Sequence, residues 1–589
     1  MNPRQTPPTF KLLTILFIIV ILAGSLLSID LNVSNAQGQI QVTASDPALT
    51  EQGTINLNVK VTGKGFKNGA KAKWQVTGTT DTGGVTVNST TFVSSSEVTA
   101  NITVDDAAAI ATFDIMVTNS DGRGGKGTEL FRVTAKQAKA VQCPPIQPAP
   151  IGDSRCYAGL PGCLDSTFGG LGFVNTHVGD VTRGAAANDV AVQPDGKIVV
   201  VGSAFANTTN PSDFAVVRYN TDGSLDTSFG DIDPFNSVLR RGYAITPITT
   251  GADSIYGVVL QPDGKIVAVG LANSVDKVGV ARYNSNGTLD NTFGSGGKAL
   301  LNFGKATAVP YRDIALQSDG KIIIAGPAKA GQSVNGGFSV ARLLTNGSLD
   351  SGFGSGGSVS VNPSGTNGST VGWSLAIQRV PAITGEERIV MGGPAAEGWT
   401  LTRFKPNGVL DTSFGSAGVV KTPFLGFGDA VHRVSIDSNN RIVAAGNTRM
   451  ANSNCGSYIM DFAVVRYTED GNLDGSFGGG KQTVDVYGGM DQLYGLTVQA
   501  DNKVILMGYA NSSDLTVTNI AVVRINDDGS RDSSFGLAGN GMVTLDVHGF
   551  DDYGIATGLD PNDGKIIVVG STVFSAGGVW DFLAARYLP

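Results

Sequence analysis

From residue 164 to the end of the chain, apolar residues fall in short runs and alternations bounded by glycine, asparagine and aspartate. No stretch carries the 3.6-residue period of an amphipathic helix. The pattern recurs as a cassette with three marks in fixed order: an LDxxFG box, a DGKIVVVG-like run and a FAVVRY-like run. The boxes start at Leu164, Leu225, Leu289, Leu349, Leu410, Leu473 and Arg531, so successive copies lie 61, 64, 60, 61, 63 and 58 residues apart. Self-similarity at this period marks one supersecondary unit repeated, each copy burying its apolar faces against its neighbours. In the second cassette the pattern predicts strands at 238–243, 256–261, 265–270 and 278–283, joined by PDG and NG turns. Four antiparallel strands per copy, repeated radially, make a propeller blade, and seven copies predict a seven-bladed β-propeller over 164–589. An open β-solenoid is the alternative, against which the long period argues.

Residues 37–135 alternate in the same way, with strands predicted at 39–44, 54–61, 70–76, 97–104, 112–118 and 129–133, which suits a small β-sandwich. Between the two, 136–163 carries Pro144, Pro145, Pro148, Pro150 and Pro161 and reads as a semi-rigid linker. The expected fold class is all-β throughout.

The run VTGKGFKNGAKAKW (61–74), with SSEVTANITV and FDIMVTNSDGRGG, resembles the Ig-like fold usually called IPT or TIG, whose modules act in exported proteins as spacers or binding units. The seven cassettes resemble the delta-60 repeat family of exported bacterial proteins. That resemblance covers all of 164–589 and implies a propeller; it implies almost nothing about activity.

Composition narrows the partners. The 80 glycines among 589 residues suit many tight turns, and the net charge of −8, with lysine and arginine spread thinly, argues against a nucleic-acid partner. At the N-terminus, Arg4 and Lys11 precede an apolar run over 12–27, and Ser34-Asn35-Ala36 offers small residues before Gln37. Residues 1–36 therefore read as a signal peptide, or as an uncleaved anchor tethering the protein to a membrane, since a span needs about 20 apolar residues. Both readings place the protein outside the cytoplasm, secreted or on the cell surface. Cys143, Cys156, Cys163 and Cys455 fit an oxidising compartment; a linker disulfide is expected rather than zinc, because paired CxxC spacing is missing.

The repeated residues read as structural. An arginine closes each FAVVRY-like run (Arg218, Arg282, Arg342, Arg403, Arg466, Arg524, Arg586), and in six copies a box aspartate follows eight residues later (Asp226, Asp290, Asp350, Asp411, Asp474, Asp532). Arg586 has no follower and Asp165 no predecessor, which predicts that the two meet across the seam of a closed ring. Fork-like guanidinium–carboxylate pairs would pin each blade to the next turn. The box phenylalanines, Phe168, Phe229, Phe293, Phe353, Phe414, Phe477 and Phe535, are expected in the core. The turn before several boxes, for example Asn220 to Asp226, also has the alternating oxygens of a calcium loop, with Asp222 and Asp226 as candidate ligands, although Leu344 and Lys405 take the first position in two copies. Ordinary turn chemistry explains the same residues, and no cofactor is otherwise expected.

Function is better sought where the copies differ. Just before the second strand they carry Asn188, Tyr256, Arg312, Trp373, His432, Tyr494 and Tyr553, with aspartates often three residues earlier (Asp253, Asp429, Asp491). A ring of aromatics, a histidine and an arginine at one mouth could stack on sugars or grip a peptide; the same residues could equally be half-exposed loop positions without a ligand. Catalytic residues are not apparent: His177, His432 and His548 share no local motif with a nucleophile or a metal. The expectation is an interaction or scaffold protein binding a glycan or a protein, not an enzyme. The alternative is an exported polysaccharide hydrolase or lyase, which requires a deep axial funnel lined by acids or histidines.

Overall fold

The computed structural model describes residues 40–105, 107–134, 160–233, 236, 238–273, 277–301, 313–327, 337–363, 371–380, 385–395, 398–424, 429–451, 458–511, 518–547, 549–573 and 578–589. The N-terminal apolar run, Arg312, His548, Cys143, Cys156 and Cys455 lie outside them. Two compact units emerge, Met1–Pro144 and Pro145–Pro589. Among the described residues no helix is long and apolar enough to cross a membrane.

The first unit is a pair of four-stranded sheets around one core. One sheet orders Gln41–Asp46, Leu57–Lys64, Glu97–Val104 and Val85–Ser94; the other orders Leu49–Glu51, Gly124–Thr134, Thr112–Thr118 and Lys71–Val76. Alternation does the sorting: Val98, Ala100, Ile102 and Val104 turn inward and share a core with Phe113, Ile115 and Val117. Trp74 is fully buried edge-on to Phe131, with centroids 5.8 Å apart. Strand Val85–Ser94 is absent from the predicted set because its serines, threonines and asparagine leave most of both faces partly exposed.

The second unit contains seven four-stranded antiparallel sheets among its described residues. The first comprises Ala186–Val192, Ile198–Phe205, Ser212–Tyr219 and Tyr243–Thr246, and the second Ser254–Leu260, Ile266–Ala272, Lys277–Tyr283 and Lys298–Leu301. Sheets three to six follow the same plan, opening at Asp313, Ser374, Ala430 and Asp491. The seventh joins Asp552–Leu559, Ile566–Val573 and Trp580–Tyr587 to Phe173–Thr176, from the other end of the unit. The strand predicted at 238–243 is therefore displaced: Val238 is 88% exposed, and the ordered strand is Tyr243–Thr246, which pairs with the copy before it. Each sheet takes its fourth strand from beyond the following box. The predicted linker also ends early, since Gly162 N donates to Leu588 O and Leu588 N to Cys163 O. Cys163 is buried and disulfide-bonded.

The first strand of every sheet touches the first strands of two neighbours, and these seven inner strands surround an axis. The inner strands of the first, second, fifth and sixth sheets are bulged at Asn188, Tyr256, His432 and Tyr494. The glycine closing the KIVVVG-like run makes the bulge possible: a Cβ on Gly270 would lie 1.9 Å from Ser254 O.

At the other end of the inner strands lie the arginine–aspartate pairs. Nε–Oδ2 distances run from 2.7 Å in Arg403–Asp411 and Arg466–Asp474 to 2.9 Å in Arg586–Asp165. Each guanidinium rides over its own box phenylalanine, 4.4 Å from the centroid for Phe229 and 4.9 Å for Phe168. Nη1 reaches the next sheet's turn, as from Arg403 to Glu469 O at 2.7 Å. All seven box phenylalanines have no exposed surface.

Candidate axial binding site

In four sheets a bulge aims a side chain at the mouth. A bulged residue leaves the ladder, so its side chain leans over the open end of the axis instead of into a sheet-to-sheet core. Asn188, Tyr256, His432, Tyr494 and Tyr553 line one cavity of about 310 Å³ together with Arg433, Tyr509 and Ile555. Trp373 joins them through His432, with ring centroids 4.7 Å apart. Six of the seven positions singled out in the sequence therefore come together; Arg312 lies outside the described residues. In the seventh sheet the bulge falls at Ile555, so Tyr553 enters two residues ahead of the register its counterparts use.

The aromatic residues form an unbroken arc. His432 meets Tyr494 edge-on at 5.3 Å, Tyr494 stacks on Tyr509 at 5.6 Å and 21°, Tyr509 meets Tyr553 at 4.7 Å, and Tyr553 meets Trp580 at 5.3 Å. With Trp373 this is six rings from four consecutive sheets, each half-buried. Asn447 holds the histidine: its Nδ2 lies 3.3 Å from His432 Nε2, and its Oδ1 accepts Leu493 N at 2.7 Å. Burial and the neighbouring Tyr494 and Tyr553 push the Tyr509 hydroxyl far above the usual tyrosine range.

One residue beyond the mouth positions, polar side chains link neighbouring inner strands. Asp189 Oδ2 accepts Val258 N at 2.8 Å; Asp313 Oδ2 accepts Ser374 Oγ at 2.6 Å and Leu375 N at 2.9 Å; Ser374 Oγ in turn accepts Val434 N at 3.0 Å. These bonds clip one inner strand to the next. Burial raises the Asp189 carboxyl to about 6 against the pull of Arg433, and it raises Asp313 likewise. Arg433, the cation between these two acids, makes no hydrogen bond or ion pair among the described residues, and its side chain lines the cavity. A guanidinium with its donors unspent, beside stacked rings, suits a ligand that carries both an anionic group and a flat apolar face.

The other candidates sit elsewhere. Asp222 Oδ1 accepts Ser224 N at 2.9 Å and Ser224 Oγ at 2.6 Å, closing its own turn. Asp226 is held by Arg218 at 2.8 Å and Lys197 at 2.7 Å, so two cations already occupy the oxygen that a calcium ion would need. Asp253 and Asp429 cap the starts of inner strands, Asp253 by accepting Ile248 N and Thr249 N and Asp429 by accepting Thr448 Oγ1. His177 pairs with Asp581 at 2.6 Å.

Six segments of the chain, 193–229, 261–293, 317–353, 438–477, 499–535 and 562–589, match the β-propeller domain of unknown function DUF5122. The chain is thus an all-β protein with propeller repeats. No curated protein sequence matches it. Among solved structures it is similar to a polysaccharide lyase described as an ulvan lyase of family PL25, at 11% identity over 69% of this chain and 95% of that one, with a TM-score of 0.37. Staphylococcus aureus virginiamycin B lyase shares 11% identity over 58% and 86%, with a TM-score of 0.32. Drosophila Semaphorin 1a shares 10% over 69% and 86%, with a TM-score of 0.33. Enzymes and a non-enzyme stand at the same distance, so these likenesses carry no argument about activity.

Proposed function

We propose that this is an exported or cell-surface interaction protein in which an Ig-like module of the IPT/TIG kind precedes a seven-bladed propeller of the delta-60 type. The axial mouth binds a glycan, with a protein loop as the second ligand class. One observation carries the reading: six half-buried rings form a continuous arc, four of them lining a cavity that Arg433 also lines, with a guanidinium that makes no hydrogen bond among the described residues. Rings of this kind stack on the apolar faces of sugars, and the guanidinium would take a carboxylate or sulfate. The test is a glycan array and a protein-binding screen on the full chain, read beside Arg433→Ala. Equal glycan retention by the two proteins would overturn the axial assignment.

A second reading, an exported polysaccharide hydrolase or lyase, draws on Asp189, Asp313 and His432 near the axis. Product formation from any glycan the array retains, lost in Asp189→Asn, would favour it.

A further inference from the structure

We propose that Asp461, Asp485 and Asp491 form a binding site for a hard divalent cation of the calcium class at the junction of the fifth and sixth sheets. Asp461 lies in the fifth sheet's third strand, Tyr458–Tyr467; Asp485 follows its outer strand, Lys481–Val484; Asp491 opens the sixth sheet's inner strand, Asp491–Val498. One carboxylate oxygen from each lies within 4.8 Å of the others, and no other set of three histidine, cysteine or acidic residues among the described residues gathers so closely.

The second observation is the state of the oxygens. Asp461 is 6% exposed and Asp491 not at all, yet Oδ1 of each receives no hydrogen bond. Asp491 Oδ2 is satisfied by Val486 N at 2.7 Å, whereas its Oδ1 is buried without a donor. Two buried carboxylates with bare oxygens beside a third are costly unless a cation joins them.

The repeat supplies its own controls. At the junction of the first and second sheets, Asp253 takes Ile248 N, Thr249 N, Thr249 Oγ1 and Asn273 N. Between the seventh and the first, His177 answers Asp581. Between the sixth and seventh, Asn519 stands where Asp461 would be, and Thr572 donates to Asp552. The fifth–sixth junction keeps the backbone donor, Val486 N, but among the described residues it shows no counterpart of the Thr249 or Thr572 hydroxyl, of Asn273 N or of His177, and it adds a third acid. An all-oxygen set with three negative charges selects a hard cation over zinc or copper, with water or backbone carbonyls completing six to eight positions.

The test uses the full chain stripped with EGTA and returned to metal-free buffer. Titration calorimetry with CaCl2 should show one site, and Tm should rise by about 3 °C or more at saturating calcium. Asp461→Asn, which copies Asn519 of the next cassette, and Asp491→Asn should lose both signals, while Asp552→Asn keeps them. Absence of binding heat together with an unchanged wild-type Tm overturns the proposal. So does calcium binding that survives in both variants. Glycan binding plays no part in either readout.

Discussion

Arg586 Nε donates to Asp165 Oδ2 at 2.9 Å, joining residues 421 positions apart and closing the seventh sheet onto the start of the unit. The same carboxylate receives Lys565 Nζ at 3.1 Å, and Arg586 Nη2 holds Thr167 Oγ1 at 2.9 Å. Removing one member of such a buried pair leaves the other charge uncompensated. Asp165→Ala should therefore cost about 3 kcal/mol or more in urea unfolding. Asp165→Ala combined with Arg586→Ala should cost less than the two losses added together. Additive losses would mean that the pair does not act as a unit.

Acid and base limbs of the stability profile should have different owners. Hydrogen bonds from Thr167 and Ser413 and the adjacent guanidinium groups outweigh burial and hold Asp165 and Asp411 at about 2, below the unfolded value. Their contribution is complete above about pH 4 and is lost as pH falls toward 2. Asp189, Asp213 and Asp552 are raised by burial to about 6, so their contribution is greatest below about pH 4 and fades as pH rises through 6. In EGTA, Tm measured against pH should peak near pH 4 to 5. A Tm that climbs steadily to pH 8 would contradict this assignment.

Arg433→Ala should separate binding from folding. The guanidinium makes no hydrogen bond among the described residues but offsets the burial of Asp189 and Asp313, so the stability loss should shrink as pH falls below about 5 and those carboxyls protonate, while ligand affinity falls tenfold or more. Surface plasmon resonance with any array-positive glycan, beside a melting curve, reads both.

The stacked pair Tyr494–Tyr509 should be used through its faces. Tyr494→Phe keeps the ring and loses the hydroxyl's bonds to Gln492 Oε1, at 2.9 Å, and to Tyr509, so affinity should hold within about threefold; Tyr494→Ala should lose about tenfold. Equal losses would assign the contact to the hydroxyl.

The turn aspartates should be silent toward calcium. Asp222→Asn preserves an oxygen for Ser224 and should leave any calcium-dependent rise in Tm intact, unlike Asp491→Asn. A lost response in Asp222→Asn would move the metal to the turns.

The fold was largely legible because its marks repeat: the box, the arginine eight residues ahead of it and the glycine beside the bulge recur in near-fixed spacing. The order of pairing was less so. Alternation shows which residues form a strand but not which neighbour the strand joins, and Tyr243–Thr246 was thus displaced from the expected 238–243. The mouth residues were visible as mismatches among matching copies. Asp189, Asp313 and Arg433 sit one position further on, where other copies carry Gly257, Ser374, Gly495 or Ala556, and the same comparison of copies would have found them. Tyr509 and Trp580 belong to strands whose repeat seemed purely structural; only the folded ring brings them to Tyr553. The charge at Asp461 was hidden for a related reason, because Asp213 and Asp581 occupy the same place in their sheets and Asp581 is answered there by His177.

The strand Phe173–Thr176 has a timing consequence. It is made among the first residues of its unit but can pair only with Trp580–Tyr587, among the last. Six sheets can assemble from contacts within about 60 residues, whereas the seventh waits for the whole chain, so assembly ends in one slow, long-range event. Until then the edge of Trp580–Tyr587 stands open to any strand of another molecule. Whatever shields that edge during synthesis decides how much of the protein reaches its closed form.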